Sequence, residues 1–140
     1  MKLIILDRDG VINYDSDQFI KSPQEWRPIE GSMEAIALLN QWGWRVVVAT
    51  NQSGVGRGLF DMDTLAAIHD KMHRTVAQAG GRIDAIFFCP HAADSKCACR
   101  KPKPGMLLDA DILGERRALW EWAIAPLFAL DGRLGRGAAP

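Results

Sequence analysis

Leu3-Ile4-Ile5-Leu6-Asp7-Arg8-Asp9-Gly10-Val11 is the stretch on which the reading of this chain turns. Four apolar residues in a row, with no polar alternation, suit a strand buried on both faces of a parallel sheet. The run closes on two aspartates two positions apart, so their carboxylates project to the same side at the strand end. Like charges held that close either share a proton or take a divalent cation between them. Gly10 lets the backbone turn out of the strand. A plain Asp-Gly turn is the competing reading of the same residues, whereas an EF-hand loop is excluded because its glycine falls later.

Working outward, residues 46–49 form a second apolar run ending at Thr50, and residues 85–88 a third ending at Cys89. Between the first two, residues 32–42 place Met33, Ile36, Ala37 and Leu39 at helical spacing, with Ser32 as a candidate cap and Gly43 as the stop. Between the second and third, residues 63–79 carry Leu65, Ile68, Met72 and Val76 as one stripe before Gly80-Gly81. The order βαβαβ predicts an α/β fold, a doubly wound parallel sheet with right-handed crossovers. In such sheets ligands bind beyond the carboxyl ends of the strands, where residues 10–30 and 51–60 fall.

At 140 residues, 48% of them hydrophobic, the chain has the material for one ordinary core. Acidic and basic residues balance at 17 each, which leaves no broad electropositive field for nucleic acid or an anionic membrane surface. No apolar run approaches bilayer length, and the start reads as a strand instead of a secretory leader, so a cytoplasmic protein is expected. A neutral metabolic enzyme fits better, and the expected state is a monomer.

Three further clusters carry chemistry. Ala49-Thr50-Asn51-Gln52-Ser53-Gly54 offers a hydroxyl and backbone N–H groups at a strand end, where phosphate oxygens can be held. Arg100-Lys101-Pro102-Lys103-Pro104-Gly105 offers fixed cations to offset charge on a transferring group, although in isolation it also reads as a solvated basic loop. Cys89, His91, Cys97 and Cys99 give four soft or borderline ligands in one loop, a count that fits a closed, structural tetrahedral zinc site. His69 and His73, four apart with no third ligand, read as a solvated helix face, and the five tryptophans as core or rim packing.

The Asp-x-Asp-Gly element resembles the first motif of the haloacid dehalogenase superfamily of phosphatases, and the likeness covers residues 1–108. It implies Asp7 as nucleophile, Asp9 as general acid and base, Thr50 and Asn51 as the second motif, and Lys101 with Arg100 as the third. It also implies magnesium held by Asp7 and Asp9. The zinc loop running into Cys99-Arg100-Lys101-Pro102 is similar to the branch that contains heptose bisphosphate and histidinol phosphatases, with residues 51–58 and 103–106 favouring the heptose side. That likeness implies hydrolysis of the 7-phosphate of D-glycero-D-manno-heptose 1,7-bisphosphate in lipopolysaccharide core synthesis. Asp15, Ser16, Asp17, Gln18, Asn51, Gln52 and Ser53 would then lie near the sugar.

Residues 109–140 depart from the family, which continues with another βα unit ending in an acidic motif. They read as a divergent tail in which Asp131, closing an apolar run, is the one partial substitute for the missing carboxylate. The departure keeps open a zinc-bound fragment without activity as the alternative.

Overall fold

Each of the three apolar runs is a strand, and each extends beyond its apolar residues in the computed structural model, which describes residues 2–108. β1 (Lys2–Leu6), β2 (Trp44–Asn51) and β3 (Ala85–Cys89) form one parallel sheet in the order β1-β2-β3. Leu6 pairs with Val48 and Asn51 with Cys89, so β2 overruns β1 at its carboxyl end. Thr50 and Asn51 are therefore strand residues, not the first residues of a loop, and they rise beside the segment that follows β1.

The long helices are α1 (Ser32–Gln41) and α3 (Met62–Gln78), with one-turn helices α2 (Ser53–Gly56) and α4 (Gly105–Leu108). Both long crossovers shift the chain by one strand in the same direction, which places α1 and α3 side by side on one face. Met33 and Ile36 of α1 and Ile68, Met72 and Val76 of α3 close over Val46, Val48 and the fully buried Trp26. The opposite face packs Ile5, Val47 and Ala49 against Met106 and Leu107 of α4, with Cys97 and Cys99 at its border. Successive β2 residues thus feed two different cores, which is why the run has no polar alternation. Each fully buried aliphatic side chain adds roughly 1.5–3 kcal/mol.

The helix ends follow local chemistry with one correction. Asp61 caps α3, its Oδ1 accepting from Thr64 N–H at 2.7 Å, and Gly43 and Gly80 take left-handed conformations as the stops of α1 and α3. Ser32 does not cap α1. Gly31 occupies that position at φ 87°, and the Ser32 hydroxyl instead donates to Val11 O at 2.8 Å, tying the segment after β1 to the helix. Lys71 of α3 donates to Pro23 O and Trp26 O at 2.7 and 2.9 Å, fixing the far end of that segment. Of the tryptophans, Trp26 is core and Trp42 is exposed, while Trp120 and Trp122 lie outside the described residues. Asp131 and the rest of residues 109–140 lie outside them too.

Candidate active site

Asp7 stands one residue beyond β1, 3% exposed, and its two oxygens meet different partners. Oδ1 accepts the Arg8 N–H at 2.7 Å, and Oδ2 accepts from Lys101 Nζ at 2.8 Å. Lys101 is itself 6% exposed, so this is a buried ion pair, of the kind in which deleting one partner costs about 3–5 kcal/mol.

Gly10, at φ 80°, turns the chain so that Arg8 O accepts from Ile12 N–H at 2.8 Å, and Asp9 folds back over the strand end. Asp9 Oδ1 accepts from Arg8 Nε at 2.9 Å, Arg8 Nη2 at 2.8 Å and Asn13 Nδ2 at 3.0 Å, while Oδ2 accepts from Gln52 Nε2 at 2.9 Å. The same Gln52 amide nitrogen donates to Thr50 Oγ1 at 2.8 Å, and its Oε1 accepts from Arg8 Nη2 at 3.1 Å. Gln52 is thus spent within the site as a strut between Thr50, Asp9 and Arg8.

Asn51 is occupied as well: Oδ1 accepts the Lys101 N–H at 2.9 Å and Nδ2 donates to Lys101 O at 3.2 Å. The overrun of β2 past β1 is what puts Asn51 within reach of the third cluster. Arg100 lines the cleft formed by Asp7, Asp9, Asp15, Ser16, Asp17, Asn51, Gln52 and Ser53. Gln18 falls instead in the neighbouring depression with Lys21 and Arg27. Arg100 Nη1 is buried without a hydrogen-bond partner, an expensive state for a guanidinium that an anionic oxygen in the cleft would relieve. The structure therefore brings Asp7, Asp9, Thr50, Arg100 and Lys101 to one sheet edge.

Three residues that the sequence reading did not place at this edge belong to it. Arg8 is fully buried and Asn13 likewise, both holding Asp9. His69 corrects the expectation of a solvated helix face: only His73 is exposed, while His69 is 7% exposed with Nε2 3.2 Å from Arg8 Nη1. Burial, then the Arg8 charge, pull its pKa down to about 3. Its position four after Leu65 and three before Met72, on the buried stripe of α3, was the available signal.

At the end of β3, the donor atoms of Cys89, His91, Cys97 and Cys99 all lie within 4.8 Å of one another. A tetrahedral ion with bonds of about 2.0–2.3 Å separates its donors by about 3.3–3.8 Å; Cys89 Sγ is 3.4 Å from His91 Nδ1 and 3.7 Å from Cys97 Sγ, and Cys99 Sγ sits closer, 2.9 Å from Cys89 Sγ and 3.1 Å from His91 Nδ1. Burial pushes the Cys97 thiol up, but the Arg100 N–H and its fellow cysteines outweigh this and bring it to about 6, while burial and the other sulfurs push Cys99 to about 12. Sulfurs that compete for protons in this way suit a doubly charged ion. Two close approaches fasten the loop: Gly56 N–H donates to Pro90 O at 2.8 Å, and Gly105 N–H to Ala98 O at 2.9 Å.

A parallel α/β sheet carrying paired acids, a strand-end hydroxyl and a buried lysine at its carboxyl edge defines a haloacid dehalogenase-like domain. A family model described as polynucleotide kinase 3 phosphatase matches residues 2–113, and the chain belongs to that family. Among curated proteins, the D-glycero-beta-D-manno-heptose-1,7-bisphosphate 7-phosphatase of Bordetella bronchiseptica is 68% identical over 78% of this chain and 61% of its own length. The protein of the same name from Neisseria meningitidis serogroup A is 60% identical over 84% of this chain and 62% of its own length. The crystal structure of D,D-heptose bisphosphate phosphatase from B. bronchiseptica, complexed with magnesium and phosphate, superposes with a TM-score of 0.77 at 67% identity, covering 79% of this chain and 62% of that one. The chain spans about three fifths of the length of these relatives.

Proposed function

We propose that the domain hydrolyses a phosphomonoester through an aspartyl phosphate on Asp7, and that the substrate is D-glycero-D-manno-heptose 1,7-bisphosphate, which loses its 7-phosphate for lipopolysaccharide core synthesis. The observation that carries this reading is the buried Asp7–Lys101 pair at 2.8 Å beside the unpartnered Arg100 Nη1 in the same cleft. The names of the relatives favour the heptose substrate over histidinol phosphate.

A carboxylate oxygen of Asp7 attacks phosphorus as the sugar oxygen leaves. Asp9 gives that oxygen a proton, then takes one from the water that opens the acyl phosphate. Lys101 and Arg100 offset negative charge on the phosphoryl group. Thr50 reaches the same edge and, with Gln52, supports Asp9. Asp15, Ser16, Asp17 and Ser53 face the cleft where the sugar would lie, with Gln18 on the adjoining surface. The roles of Asn51 and Gln52 are better described as holding Lys101 and Asp9 than as touching sugar.

Asp7 and the main-chain carbonyl of Asp9 are the groups that would hold magnesium, which when bound neutralises phosphate charge. Cys89, His91, Cys97 and Cys99 would hold zinc, with no open position, as a brace for the loop that ends in Arg100 and Lys101. A working unit at residues 1–108 with a divergent tail, a monomeric state and a cytoplasmic location complete the reading, with neither nucleic acid nor membrane as partner. Among the described residues no helix is long and apolar enough to cross a membrane.

Magnesium-dependent phosphate release tests the proposal: heptose bisphosphate should turn over in preference to histidinol phosphate, and Asp7→Asn should stop it. One observation favours a second reading, a zinc-bound domain without turnover. The sequence of residues 109–140 departs from the family's closing acidic motif, while the Cys/His cluster at the end of β3 is arranged to hold a metal ion. Zinc in the purified chain with no hydrolysis of either substrate would decide for that reading.

A further inference from the structure

We propose that His69 is a positioning residue for phosphoryl transfer, holding the Asp9 carboxylate in place through the Arg8 guanidinium. The inference rests on the phosphatase reading for what Asp9 does, while the chain of hydrogen bonds stands on its own geometry.

Arg8 is fully buried, and a guanidinium has donors only, so every N–H it carries there needs an acceptor. Nε and Nη2 converge on Asp9 Oδ1 at 2.9 and 2.8 Å, and Nη2 also reaches Gln52 Oε1 at 3.1 Å. Nη1 meets His69 Nε2 at 3.2 Å. Because Arg8 cannot accept, His69 must present a lone pair at Nε2 and carry its hydrogen on Nδ1. A charged ring would set two donors against each other. The groups that act on the ring are Arg8, Asp9 and His73, with Phe88 of β3 packed at 6.1 Å.

The relay is anchored in something rigid. His69 sits on α3 between Ile68 and Met72, both fully buried in the core, so its ring is held by the same packing that holds the helix on the sheet. Gln52 closes a ring of contacts: it takes a hydrogen bond from Arg8 and gives one to Asp9 Oδ2. Arg8 is thus gripped at once from α3 and from Gln52, just past the end of β2, and Asp9 Oδ1 is fixed by two of its nitrogens. Replacing His69 by an apolar residue leaves Nη1 buried and unpaired, and the guanidinium must turn away from Asp9 to satisfy it.

Leaving-group dependence separates positioning from loss of folded protein, because an alkoxide needs the proton from Asp9 and an aryloxide leaves without one. The experiment compares kcat/KM, which reports the departure step, for the heptose bisphosphate and for p-nitrophenyl phosphate in wild type, His69→Leu and His69→Gln. His69→Leu should lower the alkyl value on the order of 10-fold more than the aryl value, and His69→Gln, which keeps an acceptor, should restore the ratio. An equal fall for both substrates, or no fall, overturns the proposal. If wild type hydrolyses neither, the phosphatase reading fails, and nitrogen-15 NMR of the full chain then decides the relay. A neutral His69 ring at pH 7 with hydrogen on Nδ1 supports it, and hydrogen on Nε2 overturns it.

Discussion

Asn51 reads both backbone groups of Lys101, accepting its N–H on Oδ1 at 2.9 Å and donating to its carbonyl from Nδ2 at 3.2 Å. Fifty residues apart in sequence, the two are locked because β2 runs on past the end of β1. The ammonium of Lys101 then falls 2.8 Å from Asp7, so the ion partner of Asp7 is placed by the Asn51 amide.

Asn51→Asp keeps the acceptor but sets a carboxylate against the Lys101 carbonyl. It should lower kcat by about 100-fold, the scale of a 1 Å misplacement. Phosphate release measured beside a thermal melt checks this: kcat should fall further than any loss of folded protein explains.

Lys101→Met leaves Asp7 buried without its counter-charge. Stability should drop by about 3–5 kcal/mol, the cost of breaking a buried pair, read from the urea midpoint, and activity should vanish.

His69 makes stability depend on pH. Its folded pKa of about 3 lies below the ordinary 6.5, so the unfolded chain binds the extra proton between those values, and stability present above 6.5 is lost as pH falls toward 3. At pH 5 the loss should be about 2 kcal/mol relative to pH 7.5. Urea melts of wild type and His69→Gln at both pH values check it: the loss should be smaller in the variant.

Zinc should copurify at about one ion per chain, and Cys99→Ser should reduce it. Chelation should destabilise the domain, read as a lower melting temperature beside metal analysis of the same sample.

Gly10 and Gly105 should answer differently to alanine. Gly10 has open space around a Cβ, so only its φ of 80° is strained, at about 1 kcal/mol. A Cβ on Gly105 would run into the Ala98 carbonyl and Cys99 backbone, so Gly105→Ala should cost more and also lower zinc content.

The strands and long helices were legible because unbroken apolar runs and one-sided stripes follow from burial itself. The acids at residues 7 and 9 and the Cys/His loop were legible because their chemistry sits at short spacing. Arg8 and His69 were not: a basic residue between two acids and a histidine on a helix look solvated until the fold buries them against each other. Asn51 and Gln52 line the cleft, as polar residues at a strand end suggest, but only the folded contacts show that their amides also hold Lys101 and Asp9.

Acid-quenched trapping during turnover of heptose bisphosphate, followed by mass analysis of the peptide bearing Asp7, tests the covalent step most directly. Acid quenching during turnover should leave phosphate bound to the Asp7 peptide, lost in Asp7→Asn and in hydroxylamine. Steady release of phosphate with none on that peptide at any quench time would contradict the account.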